Sequence, residues 1–246
     1  MWLNKQQVTA SALNAYRKTM LHASPRHVVI DNLFDNAKLD AVVSILQQEH
    51  NWQTQQHSYS KLYVDNAKWQ KTPTKQRFVQ RDVWQRPAAT ADVAESTEST
   101  ESTESVESAG YNIALQFLLF LRSNEFMSLL SQIFRVPLTD INVAKPAINT
   151  NYFRLSASDF VNQHADDSPG REICMLLYLN KDWQSNNGGE LVFMGKNEQQ
   201  ITIEPLYNRC VLFDPSSVGS EHWVNPLKTA DNQQYRYNVT SWYWTE

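Results

Sequence analysis

The spacing of apolar residues changes character partway along this chain. In the first half they recur at intervals of three and four, the period of one face of a helix. From Ile148 onward they come in short runs broken by turn residues every eight to twelve positions, the mark of antiparallel strands. Val8, Leu13, Tyr16 and Met20 predict a helix over about 6–20. Residues 27–30 read as a short strand, and Asp35 is placed to cap a helix that turns Leu39, Val42, Val43 and Leu46 to one side. The stretch 50–75, rich in Gln, Ser and Lys, reads as a long loop or irregular hairpin, and 77–84 as a strand ended by Pro87. Two more helices are predicted over 111–122 and 125–136, the second with Phe126, Leu129, Leu130 and Phe134 inward. Candidate strands follow at 148–155, 160–166, 172–180, 190–194, 200–204, 209–214, 220–224 and 234–244. Eight strands after a helical half predict an α+β fold, a jelly roll packed on supporting N-terminal helices. The pattern alone also admits a different all-β barrel.

Between the halves, residues 95–108 read ESTESTESTESVES, a repeat of acidic and hydroxyl residues. Such a segment cannot bury enough apolar surface to offset its ordering entropy, so 88–109 is predicted to be a disordered acidic insert. It divides one domain into 1–87, holding N-terminal helices and first strands, and 110–246, holding further helices and the jelly-roll core. The remainder is not short of core material, with 41% hydrophobic residues and eight Trp. A formal net charge of −4 gives no global basic field, so strong nucleic-acid binding is not expected. The chain starts with a polar segment, and its longest apolar run, 114–121, is far short of the ~20 residues that span a bilayer. No membrane association is therefore expected. Cys174 and Cys210 follow no metal-ligand spacing and suggest no disulfide framework, which points to a reducing, cytoplasmic location.

The candidate chemistry centres on 151–167, where His164-Ala165-Asp166 sets an imidazole and a carboxylate two residues apart. On a strand, residues i and i+2 share a face and can reach one ion together. A third ligand has to come from elsewhere, and the other histidine of the C-terminal half is His222. Two His and one carboxylate suit a non-haem Fe(II) site with positions left open, although an isolated His-x-Asp is common by chance. His22, His27, His50 and His57 read as ordinary surface or satisfied histidines. On the last strand Arg236, Asn238, Thr240 and Trp242 share one face. A guanidinium left unpaired in an interior is costly, and no acidic residue on that strand neutralises it. A bound dicarboxylate gripped by the guanidinium fork accounts for it; a solvent-exposed edge Arg is the alternative. Trp183 and Trp242 read as packing residues, Cys174 as a small buried hydrophobe sharing a face with Tyr178, and Gly188-Gly189 as a tight turn.

Seven ordered motifs then carry a resemblance: His164-x-Asp166, YLNKDW over 178–183, GGEL over 188–191, IEP over 203–205, RCVLF over 209–213, His222-x-Val224-x-Pro226, and Arg236-Tyr-x-x-Thr240-x-Trp242-Tyr243. Together they resemble the catalytic core of the Fe(II)- and 2-oxoglutarate-dependent prolyl hydroxylases, nearest to the oxygen-sensing and ribosomal-protein prolyl hydroxylases and their bacterial relatives. The likeness covers 148–245, and RDVW at 81–84 extends it more weakly. It implies a double-stranded β-helix with His164, Asp166 and His222 as iron ligands. Arg236 would partner the far carboxylate of 2-oxoglutarate, with Tyr178 donating a hydrogen bond to it and Thr240 also binding the co-substrate. The cofactors implied are Fe(II), 2-oxoglutarate and O2, with room for ascorbate. Three departures stand out. Leu155 and Arg154 occupy positions where the family commonly has a Tyr, with Tyr152 a little upstream. The interval from His222 to Arg236 is long, which raises Lys228 as a rival to Arg236, and Ser156 and Ser158 stand where relatives often have Gly.

The reading that follows is a dioxygenase hydroxylating a prolyl residue of a protein or peptide, a ribosomal or translation-related one among the candidates. The same chemistry on a free amino acid or small metabolite is one alternative; a non-catalytic ligand-binding barrel is another.

Overall fold

The computed structural model describes residues 1–48, 51–61, 64–86, 112–139, 149–228 and 234–245. The insert predicted over 88–109 and His50 lie outside them.

A 3-10 turn leads into helix α1 (Ala10–His22), which is followed by strand β1 (His27–Asp31) and helix α2 (Asn36–Leu46). Asp35 caps α2 through a side-chain oxygen that accepts from the Lys38 N–H. Strand β2 (Trp52–Ser58), helix α3 (Asn66–Lys71) and strand β3 (Arg77–Trp84) come next. Of the two expectations for 50–75, the long loop is set aside and the irregular hairpin is met: with α3 in the connection, β2 pairs antiparallel with β3 along its whole length, from Trp52 opposite Trp84 to Ser58 opposite Arg77. Its Gln-rich sequence hides this because the strand borders a groove and not a dry core, so pairing overrides a polar composition. Asp65 caps α3, and the helix turns Trp69 inward to stack on Phe160 at 6.2 Å.

Helices α4 (Ile113–Leu121) and α5 (Asn124–Phe134) precede eight strands: β4 (Thr150–Leu155), β5 (Phe160–Val161), β6 (Arg171–Tyr178), β7 (Leu191–Phe193), β8 (Ile201–Ile203), β9 (Arg209–Phe213), β10 (His222–Val224) and β11 (Arg236–Trp244). The larger sheet runs β1-β9-β6-β11-β4-β3-β2, with β5 paired to β3, and the smaller runs β10-β7-β8. Every contact between neighbouring strands is antiparallel. Between the sheets pack Cys174, Leu176 and Tyr178 of β6, Leu191 and Phe193 of β7, Ile203 of β8, and Val211 and Phe213 of β9. The architecture is thus an α+β double-stranded β-helix, or jelly roll.

Strand β6 is buried on both faces, which is why its sequence is a nearly continuous apolar run. Its other set, Ile173, Met175 and Leu177, joins Val239 and Tyr243 of β11 against Leu39 and Leu46 of α2, Phe117, Leu118 and Leu121 of α4, and Phe126 of α5. Two tyrosines pin α4 to the sheet: Tyr152 Oη donates to the Ala114 carbonyl at 2.8 Å and Tyr243 Oη to that of Leu121 at 2.9 Å. The helices therefore brace the outside of the larger sheet and leave its inner face to the site. Among the described residues no single helix is long and apolar enough to cross a membrane.

Leu118 and Leu119 test this division. Leu118 is fully buried and Leu119 is 58% exposed. Leu118→Ala is expected to cost about 2–5 kcal/mol in urea unfolding, whereas Leu119→Ala should stay within about 0.5 kcal/mol. Equal losses would contradict the assigned packing of α4.

Candidate metal centre

His164 and His222 face each other in a two-residue antiparallel bridge: the His164 N–H donates to the His222 carbonyl at 3.0 Å, and the His222 N–H to the His164 carbonyl at 2.9 Å. The strand predicted over 160–166 in fact stops at Val161, so strand parity is not what brings Asp166 to the same point. Asp166 lies in irregular chain whose carbonyl is held by the Arg171 guanidinium. The two imidazole centroids are 4.2 Å apart.

Each imidazole is aimed by its own backbone. His164 Nδ1 bonds the Asn162 carbonyl and His222 Nδ1 the Ser220 carbonyl, both at 2.9 Å. A carbonyl only accepts, so Nδ1 carries the proton and Nε2 keeps its lone pair. His164 Nε2 lies 3.7 Å from Asp166 Oδ1 and His222 Nε2 lies 3.8 Å from Asp166 Oδ2. One donor atom from each of the three falls within 4.8 Å of the others. Nitrogen and oxygen ligands sit about 2.0–2.2 Å from a first-row ion. Adjacent ligands of an octahedron are then about 3 Å apart, so a small contraction of this cluster would seat one ion.

Electrostatics favour the same occupant. Burial, with His222 beside it, holds the His164 imidazole down to about 4, so it is neutral and able to ligate at neutral pH. Burial pushes Asp166 up, but His164, His222, the Trp242 N–H and Arg171 outweigh it and keep the carboxyl below its ordinary range. The carboxylate is also oriented from behind: Trp242 Nε1 donates to Oδ2 at 2.9 Å, and the Cys174 thiol approaches the same oxygen at 3.6 Å.

The three residues line one end of a cavity of about 360 Å3. Its walls include Leu155, Val161, Leu176, Leu191 and Val224, which exclude water, and Arg236 lines it as well. Arg236 is 1% exposed. Its Nε donates to the Gly189 carbonyl at 2.6 Å, its Nη1 donates to Asn238 Oδ1 at 2.9 Å, and its guanidinium lies over the Tyr178 ring at 4.9 Å. Among the described residues Nη2 makes no regular hydrogen bond, although the guanidinium interacts with the Tyr178 hydroxyl. A buried donor left unanswered on a cation is costly, so this atom marks where an anionic group belongs. Gly189 is fixed by the same contact: it holds φ +74°, and a Cβ there would come 3.0 Å from Arg236 Cδ and 3.2 Å from Trp183 Cζ2.

The other candidates fall into place around this cavity. Thr240 lines it. Tyr178 does not: it is buried beneath Arg236, and its hydroxyl interacts with that guanidinium. Tyr152 belongs to the opposite face, bonded to α4, and Lys228 is exposed. The inward residues of β4 are Asn151, Phe153 and Leu155, opposite Thr240, Asn238 and Arg236. Two residues do more than the sequence shows. His57, which stands outside the three-residue cluster, lines the cavity and is held down to about 4 by burial and by nearby Arg81, and Trp242 is a hydrogen-bond donor to Asp166 as well as a packing residue. Arg81 went unnoticed as a wall residue; it stacks 3.6 Å over Phe153 and donates from Nε to Gln55 Oε1. Its inward parity on the 77–84 strand is the signal that marks it.

Comparison with known proteins agrees with this geometry. Residues 150–244 match the family model of the 2OG-Fe(II) oxygenase superfamily. The mouse prolyl 3-hydroxylase OGFOD1 is 27% identical over 106 residues, covering 41% of this chain and 19% of that protein. The chain thus spans about a fifth of the length of the curated relative it matches. Among solved structures, a Pseudomonas putida prolyl-4-hydroxylase superposes with a TM-score of 0.58 at 16% identity, over 95% of this chain and 99% of that one. A Trichoplax adhaerens prolyl hydroxylase in complex with a hypoxia inducible factor peptide gives 0.62 at 16% identity, over 98% and 93%. These structural likenesses establish the shared fold. The matched segment thus resembles the core of the 2OG-Fe(II) oxygenase superfamily, a family that uses Fe(II), 2-oxoglutarate and O2.

Trp242→Phe removes the N–H that orients Asp166 and keeps the ring. Mn(II) affinity, followed by titration calorimetry, is expected to fall about 10–100-fold, as for other lost partners of metal ligands. Unchanged affinity would show that the indole does not position the carboxylate.

Proposed function

We propose that this protein is a 2-oxoglutarate-dependent Fe(II) dioxygenase that hydroxylates a prolyl residue in a protein or peptide. The observation that carries the reading is the pairing, in one apolar cavity, of the His164, Asp166 and His222 cluster with the unanswered Nη2 of Arg236. His164 Nε2, Asp166 and His222 Nε2 would hold the ion, a ligand set that suits a site with positions left for co-substrate. Arg236 would grip the far carboxylate of 2-oxoglutarate, and Thr240 would face the same ligand. When bound, Fe(II) and 2-oxoglutarate supply the oxidising chemistry: O2 is consumed, 2-oxoglutarate becomes succinate and CO2, and one oxygen enters a substrate C–H bond.

The chain's own residues contribute binding, orientation and exclusion of water. The carbonyls of Asn162 and Ser220 keep both imidazoles in the Nε2-ligating tautomer. Trp242 holds the carboxylate, and the aliphatic wall of Leu155, Val161, Leu176 and Leu191 keeps competing water from the reacting centre.

Two observations favour a peptidyl substrate over a free amino acid. A free amino acid brings an ammonium group that needs a carboxylate, and the one carboxylate that lines the cavity among the described residues, Asp166, would be committed to the ion. The cavity also shares Gln55 and Phe153 with an open groove of about 1110 Å3 that carries Gln53, Gln56, Gln85 and Asn151. Amide side chains both donate and accept, as an extended peptide backbone requires. The named relatives and structural neighbours include a prolyl 3-hydroxylase and a prolyl hydroxylase bound to a peptide, which supports proline as the target.

Comparison of the proteomes of a deletion strain and its parent by mass spectrometry tests the substrate. A prolyl residue should lose one added oxygen, regained with the wild-type gene and not with His164→Ala. Saturable hydroxylation of free amino acids beside an unaltered proteome would overturn the assignment. Arg236→Lys keeps the charge and loses the fork, and 2-oxoglutarate affinity is expected to drop at least tenfold; unchanged affinity would remove Arg236 from the role.

A further inference from the structure

On the inner face of β11 the polar side chains form a ladder with one direction. Arg236 Nη1 donates to Asn238 Oδ1 at 2.9 Å, and Asn238 Nδ2 donates to Thr240 Oγ1 at 3.0 Å. All three residues are buried. The direction follows from chemistry. A guanidinium has no acceptor, so the amide must turn its oxygen toward Arg236, which leaves its nitrogen toward Thr240. The Thr240 hydroxyl is thereby an acceptor in the ladder, and its own proton must go elsewhere. Among the described residues no group of the protein receives it, and Thr240 lines the cavity.

We infer that Asn238 is a positioning residue that fixes the polarity of this ladder, so that the Thr240 hydroxyl is a committed donor to an oxygen of the co-substrate. The inference rests on the reading of the site as a 2-oxoglutarate pocket. Successive inward residues of a strand stand roughly 6.5–7 Å apart. Along β11 they run from Arg236, the clamp, through Asn238 and Thr240 to Trp242, which touches Asp166. Thr240 thus stands between the clamp and the ion, beside the path the co-substrate must take. Without Asn238 the hydroxyl could rotate and offer either a proton or a lone pair; with it, a ligand that brings a donor to this point meets another donor. The ladder therefore selects for an oxygen acceptor, and it braces Arg236 at the same time.

The test is 2-oxoglutarate binding to the full-length, Mn(II)-loaded protein by titration calorimetry, with thermal unfolding and Mn(II) affinity measured in parallel. Asn238→Asp keeps size and shape but accepts from both neighbours, which turns the Thr240 proton away from the cavity and sets an anion beside Arg236. Its 2-oxoglutarate Kd is expected to rise about a hundredfold with Mn(II) affinity unchanged. Thr240→Val, which keeps volume and loses the donor, should raise Kd roughly ten- to a hundredfold, and Thr240→Ser should restore it to within about threefold. The pair Asn238→Ala and Thr240→Val should be non-additive, since the first releases the hydroxyl that the second removes. Near wild-type binding by Asn238→Asp, or costs that multiply independently, would overturn the inference while leaving the co-substrate reading intact. Failure of the wild-type protein to bind 2-oxoglutarate at all would instead overturn that reading, and the inference with it.

Discussion

Two reciprocal backbone hydrogen bonds between His164 and His222 are the constraint on which the site depends. His164 follows β5, which belongs to the larger sheet, and His222 opens β10, which belongs to the smaller. The bridge therefore joins the two sheets where the ligand atoms must meet. It also frees the ligands from needing a long strand, since only one residue on each side has to be in register. Asp166 is then placed by contacts to its carbonyl and carboxylate from Arg171 and Trp242, reached from β6 and β11. The cluster draws on parts of the chain that come together only when the barrel is closed.

The second constraint is charge. The cavity lining combines the Arg81, Arg171 and Arg236 guanidiniums with, among the described residues, one carboxylate, Asp166, before any ion is counted. A low-dielectric interior tolerates such an excess of positive charge only if an anion completes it. On the proposed reading a dicarboxylate would answer this, with one end on Arg236 and the other on the ion. The scaffold holds that guanidinium, with Gly189 supplying a carbonyl where a Cβ would crowd Arg236 and Trp183, Trp183 bonded to the Gly188 carbonyl behind it, and Tyr178 beneath.

Much of the fold was legible because burial imposes pattern. The apolar runs between 148 and 244 mark eight strands, each observed at or inside its expected range to within a residue or so, and Asp35 announces α2. What escaped has a common cause. β2 is a strand bordering a polar groove, so no apolar alternation betrays it. The strand expected over 160–166 is cut short after Val161, yet His164 and Asp166 still meet for different reasons, the bridge to His222 for the first and the bonds from Arg171 and Trp242 for the second. Trp242 looked like packing because its partner, Asp166, is 76 residues away, and His57 is a wall residue only through the pairing of β2 with β3. Parity on β11 did identify Arg236, Asn238, Thr240 and Trp242 as neighbours on one face, but not the direction of the hydrogen bonds between them. Direction requires the partners, and the partners require the fold.

The central claim is that one ion and one dicarboxylate occupy this cavity together. A crystal of the protein grown with Mn(II) and N-oxalylglycine, measured at the manganese absorption edge, tests it most directly. The expected result is a single anomalous peak bonded to His164 Nε2, an Asp166 carboxylate oxygen and His222 Nε2, with the far carboxylate of the analogue on Arg236 Nη2. Manganese bound at another set of residues, or the far carboxylate seated on Arg81 with Arg236 Nη2 still unanswered, would contradict the account.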